Sequence, residues 1–336
     1  MTWLLRAVLG ALLLLAGRLA AQPFQLPTAN RAVLEAGAEE SFFQGTAGKP
    51  WTSGQFGCVR TEGRQFHEGA DIRCLQRDRR GEPTDPVLAS ADGTVAYVNA
   101  KAGLSNYGTY VVLRHSLHGL EVYTLYAHLS GIEAGVRIGK SVKAGQRVGT
   151  MGRTANTKQA ITKDRAHLHF EINLVVNERY SAWHQATLKG MRNDHGNFNG
   201  RNLLGLDPAA IFREQARLGT NFSLVRFIQG QPELCRVAVR DTKFPWIRRY
   251  AALVQRNPVA EREGVAGYEL GLTFNGLPSR IVPRAASELK GAGKVTLLGV
   301  NAAEWQAKPC GKLVFKRGQL WTLLPRAEEL LDLLTY

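Results

Sequence analysis

The alternation of apolar and polar positions is sharpest over residues 165–172. There Leu168, Phe170 and Ile172 alternate with His167, His169 and Glu171. In a strand, residues two apart share a face at a repeat of about 6.7 Å. The pattern predicts a buried strand with three apolar anchors on one face and two imidazoles and a carboxylate on the other. Between Trp51 and Gly152 the chain reads as further short strands. Pro86 to Ala89 is one, Thr94 to Val98 follows the Asp92-Gly93 turn, and Leu120 to His128 returns from Thr109 to His115 through His118-Gly119. Val136 to Val142 and Gly145 to Gly149 add two glycine-broken strands. Repeated short strands with tight turns indicate a mostly antiparallel sheet. Two polar segments, 153–164 and 177–204, flank the histidine strand. Loops of that length are functional or mobile, and these two are expected to wall a cleft. Asp207 and Pro208 read as the N-cap and first residue of a helix that closes the domain.

Beyond residue 219 the strand candidates are Phe222 to Ile228, Leu234 to Val239, Tyr268 to Phe274, Lys294 to Val300 and Lys312 to Phe315. The tail after Pro325 has the period of an amphipathic helix. The expected fold is therefore mostly β: an antiparallel sheet domain over 51–213, then a smaller β-rich (α+β) domain over 219–336. The second domain holds no histidine and no catalytic cluster. Residues 22–50, rich in Ala, Gly, Pro and Gln, form an arm with a short helical turn within 34–41.

Composition changes the picture in three ways. Residues 1–21 have the form of a signal peptide: Arg6, an apolar run from Ala7 to Ala16, and small residues Ala20 and Ala21 before the expected cut. The run is short for a membrane span, and no Cys follows it to carry a lipid. An exported protein, periplasmic or secreted, is the expectation. The formal charge of +15 serves solubility or attraction to an anionic wall or membrane surface. Without a nucleic-acid-binding motif, nucleic acid is not an expected partner, and nothing signals an oligomer. The four cysteines, Cys58, Cys74, Cys235 and Cys310, are even in number and in an oxidising compartment read as disulfides. Three pairings are open. Proximity favours Cys58 with Cys74 and Cys235 with Cys310. The absence of a Cys-x-x-Cys pair ranks thiolate zinc ligation below disulfides.

The chemistry lies in the histidines. A catalytic zinc site takes three protein ligands and keeps one position open. His67 and Asp71, four apart, share a face on an extended or a helical segment. A third ligand comes from His167 or His169, and spacing leaves that choice open. Glu171 shares the face of His169, where it either orients a ligand imidazole or makes a structural salt bridge. His115 and His118 read as hairpin surface residues, and His184 and His195 belong to the second polar segment.

Taken in order, His67-Glu68-Gly69-Ala70-Asp71-Ile72, Tyr126-Ala127-His128-Leu129 and His167-Leu168-His169-Phe170-Glu171 resemble the signature of the lysostaphin-type (LytM) zinc endopeptidases of cell walls. Asp92-Gly93, Tyr107-Gly108, Gly145-Gln146 and Gly152 fit the same pattern, over about residues 50–213. The resemblance implies an antiparallel sheet with a groove over one Zn2+, held by His67, Asp71 and His169. It also implies that His128 and His167 share the roles of general base and electrostatic stabiliser, unassigned between them. The implied reaction is hydrolysis of peptide bonds in peptidoglycan stems or cross-links. The alternative is a non-catalytic wall-binding or amidase-activating scaffold, a use some relatives make of the fold; its mark would be lost ligands, and none is lost here. A protease acting on protein is a weaker reading. Three departures bear on specificity: a longer basic connection over 73–85 containing Cys74, a longer loop before the His-x-His strand, and an insertion over 173–204. If that insertion covers the groove, activity would require its displacement.

Overall fold

The computed structural model describes residues 23–156, 160–291 and 293–336; the expected signal peptide lies outside the described residues. After a helical turn α1 (Glu39–Phe42), the strands of the first half are β1 (Gly57–Arg60), β2 (Gln65–His67), β3 (Ala70–Arg73), β4 (Pro86–Leu88), β5 (Gly93–Asn99), β6 (Tyr110–Leu117), β7 (Leu120–Ala127), β8 (Gly131–Ile132), β9 (Ser141–Val142), β10 (Arg147–Thr150), β11 (His167–Val175) and β12 (Leu203–Leu206). Helix α2 (Tyr180–Thr187) lies between β11 and β12, and α3 (Pro208–Leu218) follows. The main sheet runs β12-β11-β7-β6-β5-β9, with β3 also paired to β11. All of its pairings are antiparallel, as the alternation predicts. Strands β3 and β12 share one edge of β11, β3 along His167–Phe170 and β12 along Ile172–Val175.

The inner face of β11 is fully buried through Leu168, Phe170, Ile172 and Leu174. Each such side chain contributes roughly 1.5–3 kcal/mol. This sets the register and turns the odd-numbered residues to the opposite face. Asp207 caps α3 through bonds to the amides of Ala209 and Ala210, with Pro208 at the first position. The turn through Arg137–Lys140, with Gly139 at φ +84°, cuts the expected strand 136–142 down to β9.

The second half contains α4 (Leu224–Gln229), β13 (Cys235–Val239), α5 (Pro245–Arg249), α6 (Pro258–Glu263), β14 (Gly267–Leu272), β15 (Pro278–Arg284), β16 (Val295–Val300), α7 (Ala302–Ala307), β17 (Val314–Arg317), β18 (Leu320–Leu323) and α8 (Pro325–Thr335). Its sheet runs β15-β14-β13-β16. The stretch 222–228, expected as a strand, is mostly helix α4. Ser223 caps it by accepting from the Arg226 amide, and Leu224 and Ile228, one turn apart, are both buried. Capping and i,i+4 burial outweigh the β-branched and aromatic content there.

The apolar core is continuous, from Phe24, Val33, Phe42 and Phe43 of the N-terminal arm through the main sheet to Leu331 and Leu334 of α8. The cysteines correct the expected pairing. Cys58 is bonded to Cys310 across 252 positions, while Cys74 and Cys235 are free and buried. Proximity fails because β1 pairs only with β2, in a hairpin that faces the C-terminal half, while β3 leads Cys74 toward Asp85. Burial, with Asp85 beside it, raises the Cys74 thiol to about 11, and burial raises Cys235 to about 12.

Candidate metal centre

Three side chains from three strands meet at the outer face of β11. His67 ends β2, Asp71 lies in β3, and His169 in β11 stands directly opposite Asp71 in the ladder. Gly69 makes the approach possible: a Cβ there would collide with the Phe170 carbonyl and come within 2.9 Å of the Glu171 Cγ. His67 Nε2 lies 3.1 Å from His169 Nδ1 and 3.1 Å from Asp71 Oδ1, and the last two atoms are 2.9 Å apart. All three residues are buried.

The far atom of each group is already engaged. His67 Nδ1 donates to the Gln55 carbonyl at 2.7 Å. His169 Nε2 donates to Glu171 Oε1 at 2.8 Å. Asp71 Oδ2 accepts from Arg60 at 2.7 Å. Three lone pairs are thereby aimed at one point, an arrangement that requires a cation or a proton. A tetrahedral zinc shell with bonds near 2.0–2.1 Å has edges of about 3.3 Å, close to this triangle, so the residues fit the metal.

The electrostatics point the same way. Burial disfavours charge on His169, but the hydrogen bonds it donates to Asp71 and Glu171 outweigh it and raise its pKa to about 10. Burial would raise Asp71, yet the neighbouring His67, His167 and His169 hold it well below the usual carboxylate range. Glu171 stays ionised although buried, because His169, Tyr107 and Asn173 donate to it.

Two further imidazoles border the cluster. His128 follows β7 at φ +61°, a left-handed conformation uncommon outside glycine. Its ring is 4.8 Å from that of His167. His128 Nδ1 donates to the Thr154 carbonyl at 2.8 Å, and His167 Nδ1 to the Arg165 carbonyl at 2.7 Å; His167 Nε2 lies 3.5 Å from Asp71 Oδ1, at the border of the cluster. Burial, reinforced by His167 and His169, drives His128 well below its ordinary value; burial also lowers His167.

The structure thus brings together His67, Asp71, His128, His167, His169 and Glu171. It also adds Arg60, Gln55 through its carbonyl, and Tyr107, whose ring lies 5.5 Å from His169 and whose hydroxyl donates to Glu171. Arg60 carried no signal in the sequence, since it sits outside every motif. Tyr107 was visible only as a landmark. His115, expected at the surface, is buried against Thr124 and the Asp92 carbonyl. His184 and His195 lie apart from the cluster, and the 177–204 segment, expected as a loop, contains α2 and the start of β12.

The antiparallel sheet thus presents a buried His-Asp-His cluster beside two further imidazoles. Residues 65–181 match the family model described as Peptidase family M23, and the chain belongs to that family. It is 33% identical over 95 residues to "Lipoprotein NlpD" of Yersinia enterocolitica, covering 28% of this chain and 84% of that one. It is 36% identical over 110 residues to "DD-carboxypeptidase/endopeptidase Mpg" of Neisseria meningitidis, covering 33% and 20%. Among solved structures it is similar to the catalytic domain of lysostaphin from Staphylococcus simulans, with 21% identity, a TM-score of 0.29, and coverage of 48% and 87%. The chain spans 18% and 27% of the length of two further curated relatives.

Proposed function

We propose that this protein is an exported, zinc-dependent endopeptidase that hydrolyses peptide bonds in peptidoglycan stems or cross-links. The observation that carries the reading is the convergence of His67 Nε2, His169 Nδ1 and Asp71 Oδ1 beside the imidazoles of His128 and His167, each anchored through Nδ1. His67, Asp71 and His169 would hold one Zn2+, which supplies a Lewis acid that polarises a carbonyl and acidifies water. Arg60, Gln55 and Glu171 orient these ligands from behind. His128 and His167 are neutral near pH 7, so each can take a proton from the attacking water. Their rings are too close for both to carry charge, so the neutral pair takes up one additional proton at a time. Once protonated, the pair stabilises the oxyanion that develops on the substrate. The division into a catalytic unit over 51–213 and a C-terminal unit over 219–336 belongs to the same proposal. Export draws support from the Cys58–Cys310 disulfide, which persists in oxidising compartments.

The test sets zinc content beside hydrolysis of purified peptidoglycan, for the parent and for His169→Ala. The reading requires one zinc and cleaved stem peptides from the parent and neither from the variant. Zinc binding without any change in muropeptides would remove peptidoglycan as substrate. A parent that binds no zinc would return the scaffold reading.

A further inference from the structure

The outer face of the main sheet is organised in rows. Asp71, His169 and Ala127 form the row of the metal cluster. Glu171, Leu125, Val112 and Tyr97 form the next. Rows follow at Asn173 with Tyr123, and at Val175 with Leu203. An unobstructed face would leave these apolar side chains open as the floor of a groove. Instead Val112 and Leu125 are fully buried and Val175 is 3% exposed.

Residues 195–203 cover them. The Phe198 ring lies 5.5 Å from Tyr97 and 5.9 Å from Tyr123, and its carbonyl accepts from the Tyr110 hydroxyl at 3.0 Å. His195 Nδ1 lies 2.9 Å from the Tyr97 hydroxyl. The covering segment is tied down at its back. Asn202 exchanges hydrogen bonds with both backbone groups of Asn177, and Asn177 donates to the Leu333 carbonyl of α8 at 2.8 Å. Arg201 pairs with Glu329 at 2.8 Å, and Trp183 Nε1 donates to Asp332 at 2.7 Å. Asn106, next to Tyr107, and Asn156, two residues after the Thr154 that His128 contacts, are exposed.

Resting on the metallopeptidase reading, we propose that residues 195–203 form a fixed wall, buttressed by α8, that closes one end of the substrate groove and restricts cleavage to bonds near a free peptide end. Its contacts to Tyr97, Tyr110 and Tyr123 place the wall over β5 to β7, beside the strand that carries His169. An extended peptide advances about 3.3 Å per residue, so a wall there leaves room for only a short stretch of substrate on that side of the reacting bond. The proposal places the rest of the substrate chain on the other side, toward His128. The preferred substrate is then a stem peptide with an unblocked terminus, and a stem extended on both sides by a cross-link is disfavoured. The double anchoring, to the sheet through Phe198 and His195 and to α8 through Arg201 and Asn202, marks the segment as a wall rather than a lid. It also gives the C-terminal helix a role in specificity.

The test compares full-length protein with two variants, Phe198→Ala and a replacement of 189–200 by a short Gly-Ser linker. Cleavage of a free-ended stem peptide and of a cross-linked stem dimer is measured, with zinc content as a control. Binding of a fluorescent dimer to the metal-free proteins is followed by anisotropy. The wall predicts that the linker variant improves dimer cleavage relative to the free stem, and dimer binding, by about tenfold. Phe198→Ala should move both in the same direction by less. An unchanged ratio and unchanged binding in both variants overturns the proposal. A parallel rise for both substrates also overturns it, because that is the behaviour of a lid. If dimer binding rises but neither peptide is cleaved by any form, the wall stands and the peptidase reading fails.

Discussion

Arg60 reaches from the β1–β2 hairpin to donate through Nη2 to Asp71 Oδ2 at 2.7 Å, which leaves Oδ1 of the same carboxylate facing His67 and His169. The guanidinium is only partly exposed, at 27%, and Asp71 is almost fully buried, so the pair is not screened as a surface bridge would be. Arg60→Met should leave one carboxylate oxygen without a donor and let the ligand rotate. Zinc affinity should fall about 10–100-fold, measured by competition with a chromophoric chelator. An unchanged dissociation constant would show that Asp71 is held by its histidines alone.

Metal binding should be coupled to proton release. In the metal-free protein His169 donates to Asp71 through Nδ1 and to Glu171 through Nε2, and its pKa is raised to about 10. Between the unfolded value near 6.5 and about 10 the folded protein retains a proton that the unfolded chain has lost. The stability this contributes is fully present below pH 6.5 and disappears as pH rises through about 10. Zinc must displace that proton from Nδ1. Titration calorimetry at pH 7.5, in buffers of different ionisation enthalpy, should give about one proton released per zinc. Affinity should rise about tenfold per pH unit over this window. A proton count near zero would mean that His169 is already neutral.

The Cys58–Cys310 bond ties the hairpin carrying Arg60 and His67 to the C-terminal half. Close to it, the rings of Phe56, Phe66 and Phe274 pack edge to face. Reduction, or Cys310→Ser, should cost about 2–5 kcal/mol of stability and lower zinc affinity with it. Thermal melts in the apo and zinc-loaded states would separate the two effects. If zinc affinity survives reduction, the aromatic cluster alone positions the hairpin.

The sheet was legible because it follows from short-range rules. Alternation about Leu168, Phe170 and Ile172 settled the face that carries His167 and His169 but left the choice between them open, and His67 and Asp71, expected on one segment, lie on the separate strands β2 and β3. What could not be read depends on distant packing. The disulfide joins positions 252 apart, and Arg60 reaches Asp71 from a neighbouring hairpin that no motif marks. Residues 177–204 read as a polar loop because Tyr180, Trp183 and Phe198 are widely spaced among polar residues. Their burial depends on α8 and on the tyrosines of the sheet. Helix α4 was missed because its stability comes from the Ser223 cap and a buried i,i+4 pair rather than from propensity.

His128 combines function and strain in one residue. Its φ of +61° places a side-chain-bearing residue in the left-handed region, at a cost of about 1–2 kcal/mol relative to glycine. The conformation is held by its amide, which donates to the Tyr107 carbonyl at 2.9 Å, and by the bond from Nδ1 to the Thr154 carbonyl. No ligand atom of the metal cluster belongs to it. His128→Ala should therefore retain zinc while hydrolysis falls about 10²–10⁴-fold, the usual loss on removing a general base or its partner. His128→Gly should be equally inactive but more stable than the alanine variant by about 1 kcal/mol, since glycine alone relieves the backbone. Chemical denaturation of both variants, with zinc content measured on the same samples, tests the two claims separately. Equal stability of the variants would remove the strain argument. Near-parental hydrolysis by either would assign the proton transfer to His167 alone.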